Sequence, residues 1–205
     1  MRIFLLLGLF AAAHAQQFEI GALGGGGFAN SVAIQHTPAS AGLSPGPAAG
    51  IVFSHDRYAR WSGEIRYLFE ERRPRLTSGP VTASFTGQTH AMQYDMVFHT
   101  RRREERVQPY LAVGGGIKIF RGTGAETAYR PLMQYGYLTQ ASEFKPMLAV
   151  GAGLKIRVGR RLMARMDFQN QITRFPKKVI TPAPGMTLGS WLLDFIPTVG
   201  LSWIF

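Results

Sequence analysis

The chain contains no cysteine among its 205 residues. That excludes thiol chemistry and removes the disulfides on which small exported domains rely. Charge is scarce too, at 17% of residues against 46% hydrophobic, a balance too apolar for a disordered chain. Yet beyond residues 1–15 no apolar run approaches the roughly 20 residues of a spanning helix, which argues against a helical membrane protein. Acidic residues are the scarcest charged class: 12 Asp and Glu face 23 Lys and Arg, for a formal net charge of +11. Out of context, such a surplus suggests nucleic acid, anionic lipid or an acidic partner.

What is present begins with a secretory pattern. Arg2 supplies a basic start, residues 3–13 form an apolar stretch too short to span a bilayer, and Ala13-His14-Ala15 ends in the small-residue form that signal peptidase accepts. Residues 1–15 therefore read as a signal peptide, and the mature chain is expected to begin at Gln16. Export makes nucleic acid an unsuitable partner. Length allows one sizeable domain, residues 16–205.

From residue 17 onward, eight segments of alternating or glycine-diluted apolar character follow one another: 18–29, 48–55, 60–70, 90–100, 108–120, 144–158, 162–171 and 188–205. Their connections alternate in length. Long polar or Pro/Gly-rich stretches (30–47, 71–89, 121–143, 173–187) alternate with short turns (56–59, 101–107, 159–161). Short turns at one end and long loops at the other are the organisation of an eight-stranded antiparallel up-and-down transmembrane β-barrel, all-β, with both mature termini periplasmic.

The period within the segments is two, which a sheet needs when its faces meet different surroundings. In 60–70, Trp61, Gly63, Ile65, Tyr67 and Phe69 share one face, and Ser62, Glu64, Arg66, Leu68 and Glu70 share the other. Met92, Tyr94, Met96 and Phe98 likewise oppose Gln93, Asp95, Val97 and His99. In 162–171, Leu162, Ala164, Met166 and Phe168 oppose Met163, Arg165, Asp167 and Gln169. The face carrying charge is expected to point inward. Its acids are Glu19, Glu64, Asp95, Asp167 and Asp194, and its bases are Arg66, Lys118, Lys155, Arg157 and Arg165. Five of each sign can neutralise one another in a narrow lumen, whereas an unpaired charge on the lipid face costs roughly 2–4 kcal/mol at midplane.

Glycine suits a barrel this narrow. The segment Leu111-Ala112-Val113-Gly114-Gly115-Gly116-Ile117-Lys118-Ile119 matches Leu148-Ala149-Val150-Gly151-Ala152-Gly153-Leu154-Lys155-Ile156 closely, as one strand solution used on two neighbouring, oppositely directed strands. The last segment alternates Phe195, Pro197, Val199, Leu201, Trp203 and Phe205 with Ile196, Thr198, Gly200, Ser202 and Ile204. Phe28, Phe53, Trp61, Phe69, Phe98, Phe120, Phe144 and Trp191 near strand ends complete two expected interfacial girdles.

Three features carry a family resemblance: Gln108-Pro109-Tyr110 with its following Gly114-Gly115-Gly116, Gly151-Ala152-Gly153-Leu154-Lys155 ahead of Gly159-Arg160-Arg161, and the terminal Leu201-Ser202-Trp203-Ile204-Phe205. Over residues 18–205 the sequence resembles the small outer-membrane barrels typified by outer membrane proteins A and X. The resemblance implies an outer-membrane location. It also implies that Val199, Leu201, Trp203 and Phe205 form the signal read by the outer-membrane assembly machinery. The larger members carry a peptidoglycan-binding domain after the barrel; this sequence ends on its last predicted strand, so cell-wall tethering is not expected.

Other chemistry is weakly represented. The run Gly21-Ala22-Leu23-Gly24-Gly25-Gly26-Gly27 is followed by no Gly-Lys-Ser/Thr and opens no helical pattern, so it reads as a barrel strand and not as a phosphate loop. His36, His55, His90 and His99 lack metal-ligand spacing and read as surface or lumen histidines. Ser54-His55 and Thr89-His90 are the nearest fragments of a Ser/His/carboxylate site, but the His-x-Ser arrangement of the lipid A deacylase barrels is missing. No cofactor is expected. Arg72, Arg73, Arg75, Arg121, Arg130, Arg174, Lys177 and Lys178, at external strand ends and loops, are candidate contacts to outer-membrane lipid phosphates, lipopolysaccharide included. The expected role is structural and interactive, with loops displayed to an extracellular ligand. A small passive pore is the alternative, and a lipid-modifying enzyme ranks below it.

Overall fold

The computed structural model describes residues 17–56, 60–102, 105–127 and 129–205. The signal peptide with its cleavage point, most of the turn at 56–59, and Arg103 and Glu104 lie outside the described residues. In chain order the strands are β1 (Gln17–Ala29), β2 (Val32–Ala33), β3 (Ala39–Leu43), β4 (Gly46–Asp56), β5 (Trp61–Glu71), β6 (Pro74–Ser78) and β7 (Val81–Ser84). There follow β8 (Gly87–His99), β9 (Val107–Gly122), β10 (Gly136–Leu138), β11 (Ser142–Arg157), β12 (Leu162–Arg174), β13 (Ile180–Pro182) and β14 (Trp191–Ile204).

Eight of these close a barrel in the order β1-β14-β12-β11-β9-β8-β5-β4, and every pairing is antiparallel. Each barrel strand therefore pairs with its neighbours in sequence, and closure leaves no free edge. The two similar glycine-rich segments lie side by side on β9 and β11, with Val113 opposite Val150 and Ala112 opposite Gly151.

Alternation decides which side chains face out. Ile51, Ile65, Met92, Tyr94, Met96, Leu111, Val113, Leu148, Met166, Phe168, Val199 and Leu201 stand exposed around the outside, while Glu64, Arg66, Asp95, Lys118, Arg165 and Asp167 are buried inside. Aromatic pairs mark both ends of the belt. Phe18 stacks on Phe53 at 5.7 Å and Trp61 meets Phe98 at 4.9 Å at the turn end; toward the loop end Phe69 meets His90 at 5.3 Å. Phe120 departs from the girdle expectation. It shares the inward face of β9 with Lys118 and is 1% exposed, because two residues along a strand return to the same face.

The long connections are not open loops. From the first two, β2, β3, β6 and β7 form a four-stranded sheet; from the last two, β10 pairs with β13. An isolated bridge joins Ile34 to Leu188. Together they enclose a second hydrophobic core that includes Val32, Ile34, Leu43, Leu76, Phe85, Leu138, Phe175, Val179, Ile180 and Leu188. Phe120 and Leu192, at the loop ends of barrel strands, join it from below. The cap therefore sits on the barrel mouth. Its β6–β7 hairpin turns tightly because Gly79 takes φ 54°, a conformation that suits glycine.

Candidate functional site

The lumen holds two ionic clusters joined by a file of amides. In the cluster nearer the turn end, Glu64 is the hub. Its carboxylate accepts from Arg165 Nη2 at 2.9 Å, Lys155 Nζ at 2.8 Å, Arg66 Nη2 at 3.2 Å and Ser54 Oγ at 2.9 Å. Lys155 also reaches Glu19 at 2.9 Å, and Arg165 reaches Glu19 at 3.5 Å and Asp167 at 3.0 Å. Arg66 contacts Asp167 at 3.2 Å and Asp95 at 3.7 Å, and the Tyr110 hydroxyl donates to Asp167. None of these charges is left alone, which is the condition for holding them out of water.

The second cluster sits at the loop end. Lys118 Nζ lies 2.7 Å from both Glu70 and Asp194, and Arg72 reaches Asp194 at 2.6 Å and Glu70 at 3.6 Å. Gln171 and Gln93 connect the clusters: Lys118 donates to Gln171 at 2.7 Å, Gln171 to Gln93 at 3.0 Å, and Gln93 to Asp95 at 2.7 Å. Gln169 completes the file by donating to Asp95 at 3.0 Å. Leu68 lies between Arg66 and Glu70 on the inward face of β5. It packs with Leu23, Val52, Ala91, Met147 and Ile196, so apolar side chains fill the lumen between the two clusters.

Glycines make room for this filling. A Cβ on Gly153 would collide with the Tyr110 ring, and one on Gly27 would collide with the ends of Arg72 and Glu70. Neither site accepts a larger residue without moving the network.

Of the ten charges expected inside, Glu19, Glu64, Arg66, Asp95, Lys118, Lys155, Arg165, Asp167 and Asp194 are buried there, while Arg157 is half-buried at the turn end. The network has two further members. Sequence reading puts Glu70 on the right face but outside the charge set, and it assigns Arg72 to lipid contact. Arg72 is fully buried, so that assignment is corrected. The signal is the same parity, since Glu64, Arg66, Leu68, Glu70 and Arg72 follow at intervals of two, and Arg72 N continues the ladder to Gly87 O at 3.0 Å.

The other basic candidates separate by location. Arg73, Arg121, Arg174, Lys177 and Lys178 are exposed at the loop end and Arg75 is half-buried. Arg130 is occupied within the cap, stacked 4.5 Å over Phe85 and bonded to Thr127 at 3.0 Å. The Ser54-His55 and Thr89-His90 fragments are split by alternation. Ser54 and Thr89 point inward to Glu64 and Glu70, while His55 and His90 point outward to Tyr94 and Tyr67. Among the described residues no cluster of His, Asp and Glu is arranged to hold a metal ion.

No family model and no curated protein matches the sequence. Solved structures do. Neisserial surface protein A superposes with a TM-score of 0.59 at 10% identity, covering 91% of this chain and 96% of that one. A major outer membrane protein of Thermus thermophilus gives 0.51 at 15% identity, covering 94% and 100%. The N-terminal β-barrel domain of Pseudomonas aeruginosa OprF gives 0.50 at 14% identity, covering 92% and 97%. At these identities the likeness establishes the fold: a small closed barrel of the kind found among outer-membrane proteins.

Proposed function

We propose that this protein is an integral outer-membrane barrel with a plugged lumen, whose role is structural and interactive: a rigid post that presents a folded cap at the cell surface. The observation that carries the reading is the lumen itself. Fully buried ion pairs, amides and apolar side chains fill it, and the second hydrophobic core closes its loop end. Bilayer insertion is supported by the encircling belt of exposed Ile, Leu, Val, Met and aromatic side chains, far more apolar surface than a soluble monomer leaves exposed. In this reading β14, with Val199, Leu201, Trp203 and Phe205 outward, is the segment met by the assembly machinery, and both mature termini are periplasmic.

Recognition then belongs to the cap. A cleft of about 210 Å³ opens there between the β6–β7 hairpin and residues 126–139, lined in part by Leu76, Ala83, Arg130, Met133 and Tyr137. Arg73, Arg75, Arg121, Arg174, Lys177 and Lys178 ring the loop end at the height where lipopolysaccharide phosphates would lie.

Planar-bilayer conductance tests the reading, run on a refolded sample whose gel mobility shifts on heating. A heat-modifiable barrel without discrete conductance steps is the expected result. Steps abolished by substituting Arg66 or Glu64 would make a passive pore the function. Turnover of lipid A by the same sample would make it an enzyme.

A further inference from the structure

The lumen sets buried acids Glu19, Glu64, Glu70, Asp95, Asp167 and Asp194 against buried bases Arg66, Arg72, Lys118, Lys155 and Arg165. Acids slightly outnumber bases there, so these lumen residues contribute nothing to the chain's formal surplus of +11. Part of it rings the loop end. Another part gathers at the turn end, where Arg60, Arg101, Arg102, Arg106, Arg160 and Arg161 are exposed. Beside them Glu105 lies 3.6 Å from Arg101, and exposed Phe205, which carries the α-carboxylate, lies at the same end.

The backbone beneath these arginines is pinned to the barrel. Arg157 N donates to Arg106 O at 2.8 Å, Val158 N to Leu162 O at 2.9 Å, and Ile204 N to Arg161 O at 2.9 Å. Two adjoining surface grooves follow. One is lined by Arg106, Arg157, Val158, Gly159 and Arg160, the other by Gly159, Arg160, Arg161, Leu162 and Trp203. Their composition changes with height. Guanidinium groups stand at the rim, and Leu162 and Trp203 lead down to the apolar belt, with Val158 60% and Trp203 46% exposed. A soluble polyanion would need only the rim. An arginine pair lining the same groove as an exposed indole and an aliphatic side chain fits a molecule with a phosphate at one end and hydrocarbon at the other.

We propose that the turn end is a binding collar for anionic phospholipid, with the headgroup phosphate held between Arg160 and Arg161 and the acyl chains lying on Leu162 and Trp203. Guanidinium suits this role because it donates to two phosphate oxygens at once and never loses its charge. Bound lipid would fix the depth of the barrel at this end, as the indole and guanidinium groups both favour the interface. The inference rests on the reading of the barrel as membrane-inserted.

The test uses the W61F/W191F variant, which leaves Trp203 as the fluorophore, refolded into vesicles of phosphatidylcholine containing a minor fraction of brominated phosphatidylglycerol or brominated phosphatidylcholine. Each arginine is expected to contribute roughly fivefold to the preference for the anionic lipid, so quenching should favour phosphatidylglycerol about 25-fold. Adding R160Q and R161Q should bring that preference close to parity, while K177Q/K178Q at the other end leaves it unchanged. About 1 M salt should weaken the parent preference by screening, a check that needs no arginine variant to fold. Equal quenching by the two lipids would overturn the proposal, as would heparin binding that depends on Arg160 and Arg161 without any lipid preference. Gel mobility separates the two levels: a heat-modifiable barrel with no preference sinks the collar alone, and loss of heat-modifiability sinks the membrane reading with it.

Discussion

The barrel and its cap solve the problem of a filled interior in opposite ways. The lumen is packed with paired charge and amide, with a modest apolar layer between the clusters, while the cap is a conventional hydrophobic core built from short strands of distant loops. On the membrane-inserted reading, the difference follows from what lies outside each wall. A barrel in lipid spends its apolar side chains on the outer belt, so the opposite face of every strand is free to be polar provided the charges pair. The cap meets water, and its apolar residues turn inward. Arg72 and Phe120 mark the seam, each at the loop end of a barrel strand and each buried, one in an ion pair and the other in apolar contact.

The comparison predicts different failures on substitution. The largest effect is expected from Glu64→Gln, which leaves Arg165, Lys155 and Arg66 short of a counter-charge. Breaking a buried pair from one side costs about 3–5 kcal/mol, and the loss should appear as global unfolding of the heat-modifiable species at lower urea. Adding Lys155→Met to Glu64→Gln removes an excess cation and should recover part of that loss. A double-mutant cycle that gives simple additivity would show the two residues to be uncoupled.

Leu76→Ala in the cap should cost about 2–5 kcal/mol, but locally. Loops should become protease-sensitive and exchange amide hydrogens faster while barrel mobility on gels is unchanged. If the barrel melts with the cap, the two interiors form one cooperative unit and the contrast fails. The smallest effect is expected at Arg174, stacked 4.5 Å over Trp191 on the outer surface. Arg174→Gln should shift stability by about 0.5–1 kcal/mol, read from the same urea titration.

Legibility from sequence follows the same division. All eight barrel strands are readable, with ends within a few residues of those observed, since each alternates over many positions and is bounded by turns or loops. Nine of the ten charges that parity puts on the inward face are buried. The short strands of the cap are not readable. Segments such as Ala39–Leu43 and Pro74–Ser78 are too short and too rich in small or polar residues to display a period, and they pair with each other across separate loops. Arg72 is misplaced by sequence alone because a charged run after a strand resembles a solvated loop until the ladder is seen to continue beneath it.

By itself, the sequence determined the alternation and hence the two faces of the barrel, because inward and outward surroundings act on successive residues of one strand. Only the tertiary structure decided which charge meets which. Lys155 finds Glu19 at a separation of 136 residues and Arg165 finds Glu64 at 101, partners set by the curvature and register of the closed sheet. It also decided that the loops gather into a cap, because burying their scattered apolar residues requires four connections to converge, and no one of them carries enough to fold alone.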